Sequence, residues 1–453
     1  MLTYELKKSP GVPLYEALYR CIRQDIVTGV LPAGYKLPSK RALAQNLEVS
    51  KITVETAYSQ LLSEGYIRSQ EKVGYFVEAV ARHAGVPART LPQEAAADEP
   101  LLDLTANGTE DFPFSVWMKL QREVMLDYGE KLLAPLPNRG IPELRQAIAD
   151  HLAAFRGMHV SPENILIGAG TDFLYNLLIQ LLGQNRTYAV EEPGYGKIRK
   201  IYAAAGVKTV SARMDSAGVL PETLADADVL HFSPSHHFPS GLVTPVSRRT
   251  ELLHWAGNEK WIIEDDYDSE FRFDAHPKPA MMSLDHRGRV IYMNTFSKSL
   301  APSIRISYMV LPEGLMAEFQ RKLGFYSCTV PSFEQYTLAR FLSRGHFEKH
   351  INRMRKFYKN RRNAVVSVLE NCGFSHQLTI LEQDAGLHFI LRVDTRLPDR
   401  ELTDKLSEAG IRVRALSEYY HEQQRDLHCL VVNYSGLKVD ALEEALERLK
   451  EIM

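Results

Sequence analysis

Lys298 stands in the stretch "NTFSKSLAPSIRISY" (Asn294–Tyr308), just past the apolar run Val290–Met293 and upstream of Arg305. Read alone, it is a surface lysine opening a helix. "WIIEDDYD" (Trp261–Asp268) alters that reading. There a buried apolar strand runs straight into acids, so Asp265 and Tyr267 emerge at its carboxyl end, where open α/β sheets bind ligands. The strand before Lys298 delivers the lysine to the same sheet edge. A lysine amine condenses with an aldehyde to a Schiff base, and a carboxylate keeps a pyridine nitrogen protonated so that the ring draws electrons. Together they meet two of the requirements of pyridoxal phosphate.

A phosphate needs fixed positive charge and backbone N–H donors. Arg305 offers a planar guanidinium. "GAGTD" (Gly168–Asp172) ends a strand and opens the helix "FLYNLLIQLL", so the N–H groups around Gly170 and the Thr171 hydroxyl suit a phosphate at a helix N-terminus. Thr295 and Ser297 add hydroxyls beside the lysine. Each piece has a plain alternative: Gly-x-Gly as a turn, Asp265-Asp266 as a solvated loop, "SPSHHFPSG" as a rigid connection. Their common order and strand-end placement favour a joint reading.

The elements that must position these residues are the strand-like runs "NILIGAG", "TYAVEEP", "DVLHFSP", "KWIIEDD" and "RVIYMNTF", which alternate with helix-like stretches. That alternation predicts an α/β domain with a mainly parallel sheet. A chain of 453 residues and 51.4 kDa fits one large domain plus a smaller one. With 54 Lys+Arg against 56 Asp+Glu, the net charge of −2 provides no global field for DNA or membrane, so any nucleic-acid contact has to be a local patch. The four cysteines lie far apart without a Cys-x-x-Cys pair, which suits a reducing compartment. No window reaches the length of a membrane span and the start lacks a leader-like apolar run, so a soluble cytoplasmic protein is expected. The Ala- and Pro-rich stretch Ala79–Pro100 divides the chain into residues 1–78, a linker at 79–101, and a large domain at 102–453.

Before the linker, Leu14, Leu18, Ile22 and Ile26 recur at helical spacing. Ser39 then offers an N-cap to "KRALAQNL", a short turn follows at Glu48-Val49, and Ser50 caps "KITVETAYSQLLSEG" until Gly65 stops it. That is helix, tight turn, helix. Val54, Ala57 and Leu61 form the buried stripe of the second helix, leaving Lys51, Thr53, Glu55 and Thr56 exposed where a recognition helix meets base edges. Tyr66–Arg68 and Gly74–Val77 read as a two-stranded wing with Lys72 at its tip. Lys40, Arg41, Lys51, Arg68 and Lys72 then face phosphates, which position without specifying sequence. Ser39, Thr53 and Thr56 complete the candidate DNA-binding set. The alternative is a helical cap that packs on the large domain.

"LPSKRALAQNLEVSKITVETAYSQLLSEGYI" closely resembles the signature of the winged helix-turn-helix in the GntR regulator family, a resemblance covering residues 12–78. From about Leu102 onward the chain resembles fold-type I aminotransferases through "EEPGY", "SPSHHFPSG", "IEDDYDSEFRF" and "TFSKSLAPSIRISYMVLP"; as a whole it resembles the MocR subgroup of GntR regulators. The resemblance implies double-stranded DNA as partner, pyridoxal 5'-phosphate as cofactor, and a homodimer in which each winged helix crosses to the partner subunit. It further implies that Lys298 carries the Schiff base, Asp265 pairs with the pyridine nitrogen, Tyr267 bonds the ring hydroxyl and Tyr195 lies on the ring face. Thr171, Ser297 and Arg305 would serve the phosphate.

The sequence departs from the pattern at three places. Phe238 precedes Pro239-Ser240-Gly241 where aminotransferases carry an asparagine. Ser435-Gly436 stand where amino-acid-binding relatives place a carboxylate-gripping arginine, and Gly196-Lys197 follow Tyr195 where γ-aminobutyrate-sensing members place another. These departures favour a regulator sensing pyridoxal phosphate, or an amine or amino acid that reacts with it. The competing reading is a working aminotransferase with a fused DNA-binding domain. Arg139, Lys197, His236, His237 and Arg414 are candidate effector contacts, each with a structural alternative.

Overall fold

The computed structural model describes residues 2, 4, 13–71, 73–79, 100–106, 108, 112–273, 278–382, 386–422, 425–437 and 439–453. It divides into two compact units, Met1–Ala97 and Asp98–Met453. Most of the expected linker, and Lys72, lie outside the described residues. Among the described residues, no helix is long and apolar enough to cross a membrane.

In the first unit, α1 (Leu14–Thr28) is followed by α2 (Lys40–Asn46) and α3 (Lys51–Ser63), then by the antiparallel pair β1 (Ile67–Gln70) and β2 (Gly74–Val77). Ser39 caps α2 by accepting from the Ala42 N–H at 3.2 Å, and Ser50 caps α3 by accepting from Thr53 at 3.1 Å. Between the caps, Glu48 takes a left-handed φ of 53°, which turns the chain tightly. Leu18, Ile22, Leu43, Val54, Ala57, Tyr58 and Leu61 are buried together, so the apolar stripes of all three helices share one core.

In the second unit, β3 (Leu102–Asp103), α4 (Phe114–Tyr128) and α5 (Pro142–Arg156) lead into the main sheet. Its strands are β4 (Ile165–Gly168), β5 (Thr187–Glu192), β6 (Lys208–Asp215), β7 (Gly218–Val219), β8 (Val229–Phe232), β9 (Trp261–Asp265), β10 (Val290–Thr295) and β11 (Ser307–Val310), in the spatial order β4-β11-β10-β9-β8-β5-β6-β7. Pairing is parallel from β10 through β9, β8 and β5 to β6; β11 runs antiparallel to both of its neighbours. Alternate residues sort to opposite faces. Ile291 and Met293 pack with Leu174 and Leu178 of α6 (Thr171–Leu182), while Tyr292 packs with Leu144 and Ile148 of α5. A smaller antiparallel sheet, β12 (Leu378–Leu381), β13 (His388–Val393), β15 (Arg414–Ala415) and β16 (Cys429–Asn433), follows in the order β12-β13-β16-β15; β14 (Ile411–Arg412) pairs with β3.

The mainly parallel sheet agrees with the sequence pattern. The five strand-like runs of the sequence do not include β6, β7 or β11, and β11 decides the site. In register, Thr295 of β10 faces Ser307, and Ser307 faces Gly168 of β4. The antiparallel strand therefore begins at the edge where β4 and β10 end, which brings Arg305, Gly170 and Lys298 together.

Candidate functional site

A cavity of about 440 Å³ opens at this edge. Lys298, Asp265, Tyr267, Tyr195, Thr171, Ser297 and Arg305 all line it. Lys298 rides on the single helical turn Phe296–Ser299, which Thr295 caps by accepting from the Ser297 N–H at 3.2 Å. Thr295 also accepts from the Ser307 hydroxyl at 2.7 Å and donates its own proton to the Ile306 carbonyl at 3.5 Å, so its hydroxyl holds the turn and is not a spare donor beside the lysine. Burial pushes the Lys298 amine below the ordinary lysine range, with the Asp268 carboxylate opposing.

Asp265 ends β9 and is buried. Its Oδ2 accepts from the Tyr175 hydroxyl at 2.5 Å and lies 3.5 Å from His231 Nε2; His231 Nδ1 in turn contacts the Tyr202 hydroxyl at 2.7 Å. Asp265 Oδ1 is buried without a hydrogen-bond partner among the described residues. Burial, then the Asp265 charge, raises the Tyr175 phenol far above its usual value, so it stays a donor to the carboxylate. Tyr267 lies 3.2 Å from His236 Nδ1, and the same nitrogen is 2.8 Å from Asp268 Oδ2. Tyr195 is half-exposed and meets the edge of Phe238 at 5.8 Å between ring centroids.

Gly170 precedes α6 with φ of 90° and ψ of 161°, a conformation close to glycine-only. A Cβ there would lie 2.0 Å from Arg305 Nη2, so the guanidinium lies directly over the glycine at the start of α6. Ser297 Oγ is buried without a partner among the described residues. Asp172 draws both Lys197, at 2.6 Å, and Arg305, at 3.6 Å.

Of the candidate effector contacts, Lys197 and Arg414 line the cavity. His236 and His237 are buried, the latter between Ser240 Oγ at 2.7 Å and the Pro193 carbonyl at 3.0 Å, its pKa pushed down to about 3 mainly by burial. Arg139 is bound to Glu163 at 2.5 Å. Tyr175, His231, Tyr202, Asp268, Asp172 and His388 are site residues that motif reading missed. His231 had a signal: a polar residue inside the otherwise apolar strand "VLHF".

In the first unit, Arg41 and Lys51 are exposed. Lys40 Nζ binds Glu55 Oε1 at 2.7 Å and lies over the Tyr75 ring at 5.4 Å. Arg68 pairs with Glu78 at 3.0 Å and stacks over Phe76. The hydroxyls of Thr53 and Thr56 are engaged locally, the first with Ser50 Oγ at 2.8 Å and the second with the Ile52 carbonyl at 3.0 Å.

Residues 99–449 match the family "Aminotransferase class I and II", and residues 14–77 match "Bacterial regulatory proteins, gntR family". The chain is 36% identical to the HTH-type transcriptional regulator YdeL of Bacillus subtilis over 99% of this chain and 98% of that one. It is 32% identical to the probable rhizopine catabolism regulatory protein MocR of Rhizobium meliloti, over 98% of this chain and 94% of that one. The chain belongs to the MocR-type GntR transcription regulators. Another relative is the HTH-type pyridoxine biosynthesis transcriptional regulator PdxR of Corynebacterium glutamicum, 32% identical over 95% of this chain and 94% of that one. Among solved structures, the kynurenine aminotransferase of Pyrococcus horikoshii is 25% identical with a TM-score of 0.68, covering 79% of this chain and 91% of that one.

This MocR-type chain is thus a DNA-binding transcription regulator that carries an aminotransferase-like unit. Its departures from an aminotransferase have structural counterparts. Phe238 packs its ring against His388 and Tyr419 as well as Tyr195, and Ser435 holds the Asn433 carboxamide at 2.7 Å while its carbonyl receives Arg361.

Proposed function

We propose that the cavity holds pyridoxal 5'-phosphate and that the regulator reports its occupancy, or the arrival of an amine or amino acid that reacts with it, to DNA. The observation that carries this reading is the convergence in a single cavity of a half-buried Lys298, its amine held below the ordinary lysine range, with a buried Asp265 that keeps one oxygen unpartnered among the described residues. The Arg305 guanidinium over Gly170 and the unpartnered Ser297 hydroxyl suit the phosphate, so the residues present fit the group. When bound, the cofactor supplies an aldehyde for condensation with amines and an electron-withdrawing ring.

In this assignment Lys298 presents its amine, which burial biases toward the neutral, nucleophilic form. Asp265, oriented by Tyr175 and backed by His231, holds positive charge on the ring nitrogen. Tyr267, held by His236, donates to the ring hydroxyl, and Tyr195 closes the exposed face. Gly170, Thr171, Ser297 and Arg305 bind the phosphate, with Lys197 competing with Arg305 for Asp172. Ser39, Lys40, Arg41, Lys51, Thr53, Thr56 and Arg68 belong to the proposed DNA face.

The name of the PdxR relative supports pyridoxal phosphate itself as the signal, with control of vitamin B6 supply as the outcome. A signal shifts DNA affinity only through its preference for one of two arrangements of the protein. We place the protein in the cytoplasm, where its operator is, as a homodimer supported by the exposed apolar residues Phe114, Met118, Met125 and Leu126 of α4. The experiment is fluorescence anisotropy of the purified apo-protein on its own upstream DNA, titrated with pyridoxal phosphate beside Lys298→Ala. Wild-type affinity or footprint should change and the variant's should not. An indifferent wild type would rule out cofactor sensing, and steady conversion of an amino acid and a keto acid would overturn the regulator-only reading.

A further inference from the structure

The outward face of α3 carries chemistry that phosphate contacts leave unexplained. Thr53 and Thr56 commit their hydroxyls to Ser50 and to the Ile52 carbonyl, and the other exposed side chains of the first turns, beside Thr56 itself, are Lys51, Ile52 and Glu55. Ile52 is 73% exposed, although it is β-branched and apolar. Glu55 is an exposed carboxylate on the helix expected to enter the major groove, where the surrounding phosphates repel it. Such an acid, even with one oxygen paired inside the protein, lowers affinity for every sequence in which no base donor meets its other oxygen.

Its orientation is preset. Lys40 of α2 reaches across to Glu55 Oε1 at 2.7 Å, and the ammonium is itself held over the Tyr75 ring, so two further elements fix one oxygen of this side chain. Oε2 has no hydrogen-bond partner among the described residues. Major-groove donors are the amino groups of cytosine and adenine; adenine sets the N7 acceptor beside its amino group and repels a carboxylate, whereas cytosine offers the donor alone. Ile52 precedes Glu55 by one helical turn on the same face, and apolar side chains there pack on the thymine methyl.

We infer that Glu55 and Ile52 are base-reading residues of this regulator: Glu55, braced by Lys40, accepts from a cytosine amino group, and Ile52 packs on the methyl of a neighbouring thymine. The bland alternative is an exposed ion pair with no role beyond the surface. The two differ in what a substitution does to sequence preference.

The test is selection by the full-length protein from a pool of randomised duplexes, for wild type, Glu55→Gln and Ile52→Ala, with thermal melting of each as a folding control. Wild type should prefer cytosine at one position of each half-site by roughly tenfold. Glu55→Gln, whose amide pairs with adenine N6 and N7, should shift that position toward adenine and leave the others alone. Ile52→Ala should lose a neighbouring thymine preference. Uracil in place of that thymine, which removes only the methyl, should weaken wild type and not Ile52→Ala; this measurement needs no new protein fold. Identical preferences in wild type and Glu55→Gln, or a uniform rise in affinity for all sequences, would overturn the inference. So would a wild type that selects no cytosine.

Discussion

Glu270 shows how far burial bends the chemistry beneath the cavity. Its carboxyl is 3% exposed and is pushed up to about 8, first by burial and then by the Asp266 charge. Asp266 is instead held below its usual range by the buried Arg156 partner at 3.0 Å, against the pull of burial. A carboxyl whose folded pKa lies above its unfolded value stabilises most fully below the unfolded value, near 4.5, and loses that contribution as pH rises through about 8. Within that window the loss runs at about 1.4 kcal/mol per pH unit. Glu270→Gln keeps the shape and removes the titration. Its urea unfolding free energy should therefore fall less than wild type's between about pH 6 and pH 8.5. A variant curve parallel to wild type's would mean that Glu270 is already ionised at neutral pH.

At the scale of the element, the start of α6 and the start of β11 form one unit, because the Arg305 guanidinium fills the space that a Gly170 side chain would need. Arg305 itself sits in the left-handed region, with φ of 49° and ψ of 35°, a conformation that costs about 1–3 kcal/mol and aims its side chain at the helix N-terminus. Gly170→Ala adds a methyl group 2.0 Å from Arg305 Nη2 at a backbone φ of 90° that disfavours any side chain. The variant should bind pyridoxal phosphate at least about tenfold more weakly, a loss of about 1.4 kcal/mol, measured by fluorescence quenching. Unchanged affinity would separate Arg305 from phosphate binding.

For the whole molecule, the apolar stripe on α4 sets the expectation. Phe114, Met118 and Met125 share one helix face and are 68%, 65% and 52% exposed, more contiguous apolar surface than a solitary chain has reason to show. Multi-angle light scattering should give twice the chain mass of 51.4 kDa, and Met118→Lys combined with Met125→Lys should shift it toward the single-chain mass. A wild type at the single-chain mass would remove the dimer from the proposal.

Local patterns in the sequence carried the helix-turn-helix, because its caps at Ser39 and Ser50 and the stripe Val54, Ala57, Leu61 act over a few residues. They carried Lys298 and Asp265 as well, since a short apolar run ending in polar residues marks the carboxyl end of a buried strand. Tertiary structure alone brought Arg305 to Gly170, because that meeting depends on β11 running antiparallel between β4 and β10, a pairing without a local signature. It alone placed Tyr175, His231 and Tyr202 around Asp265 and turned Lys40 toward Glu55, since these contacts join residues far apart in the chain whose packing is settled only when the elements meet.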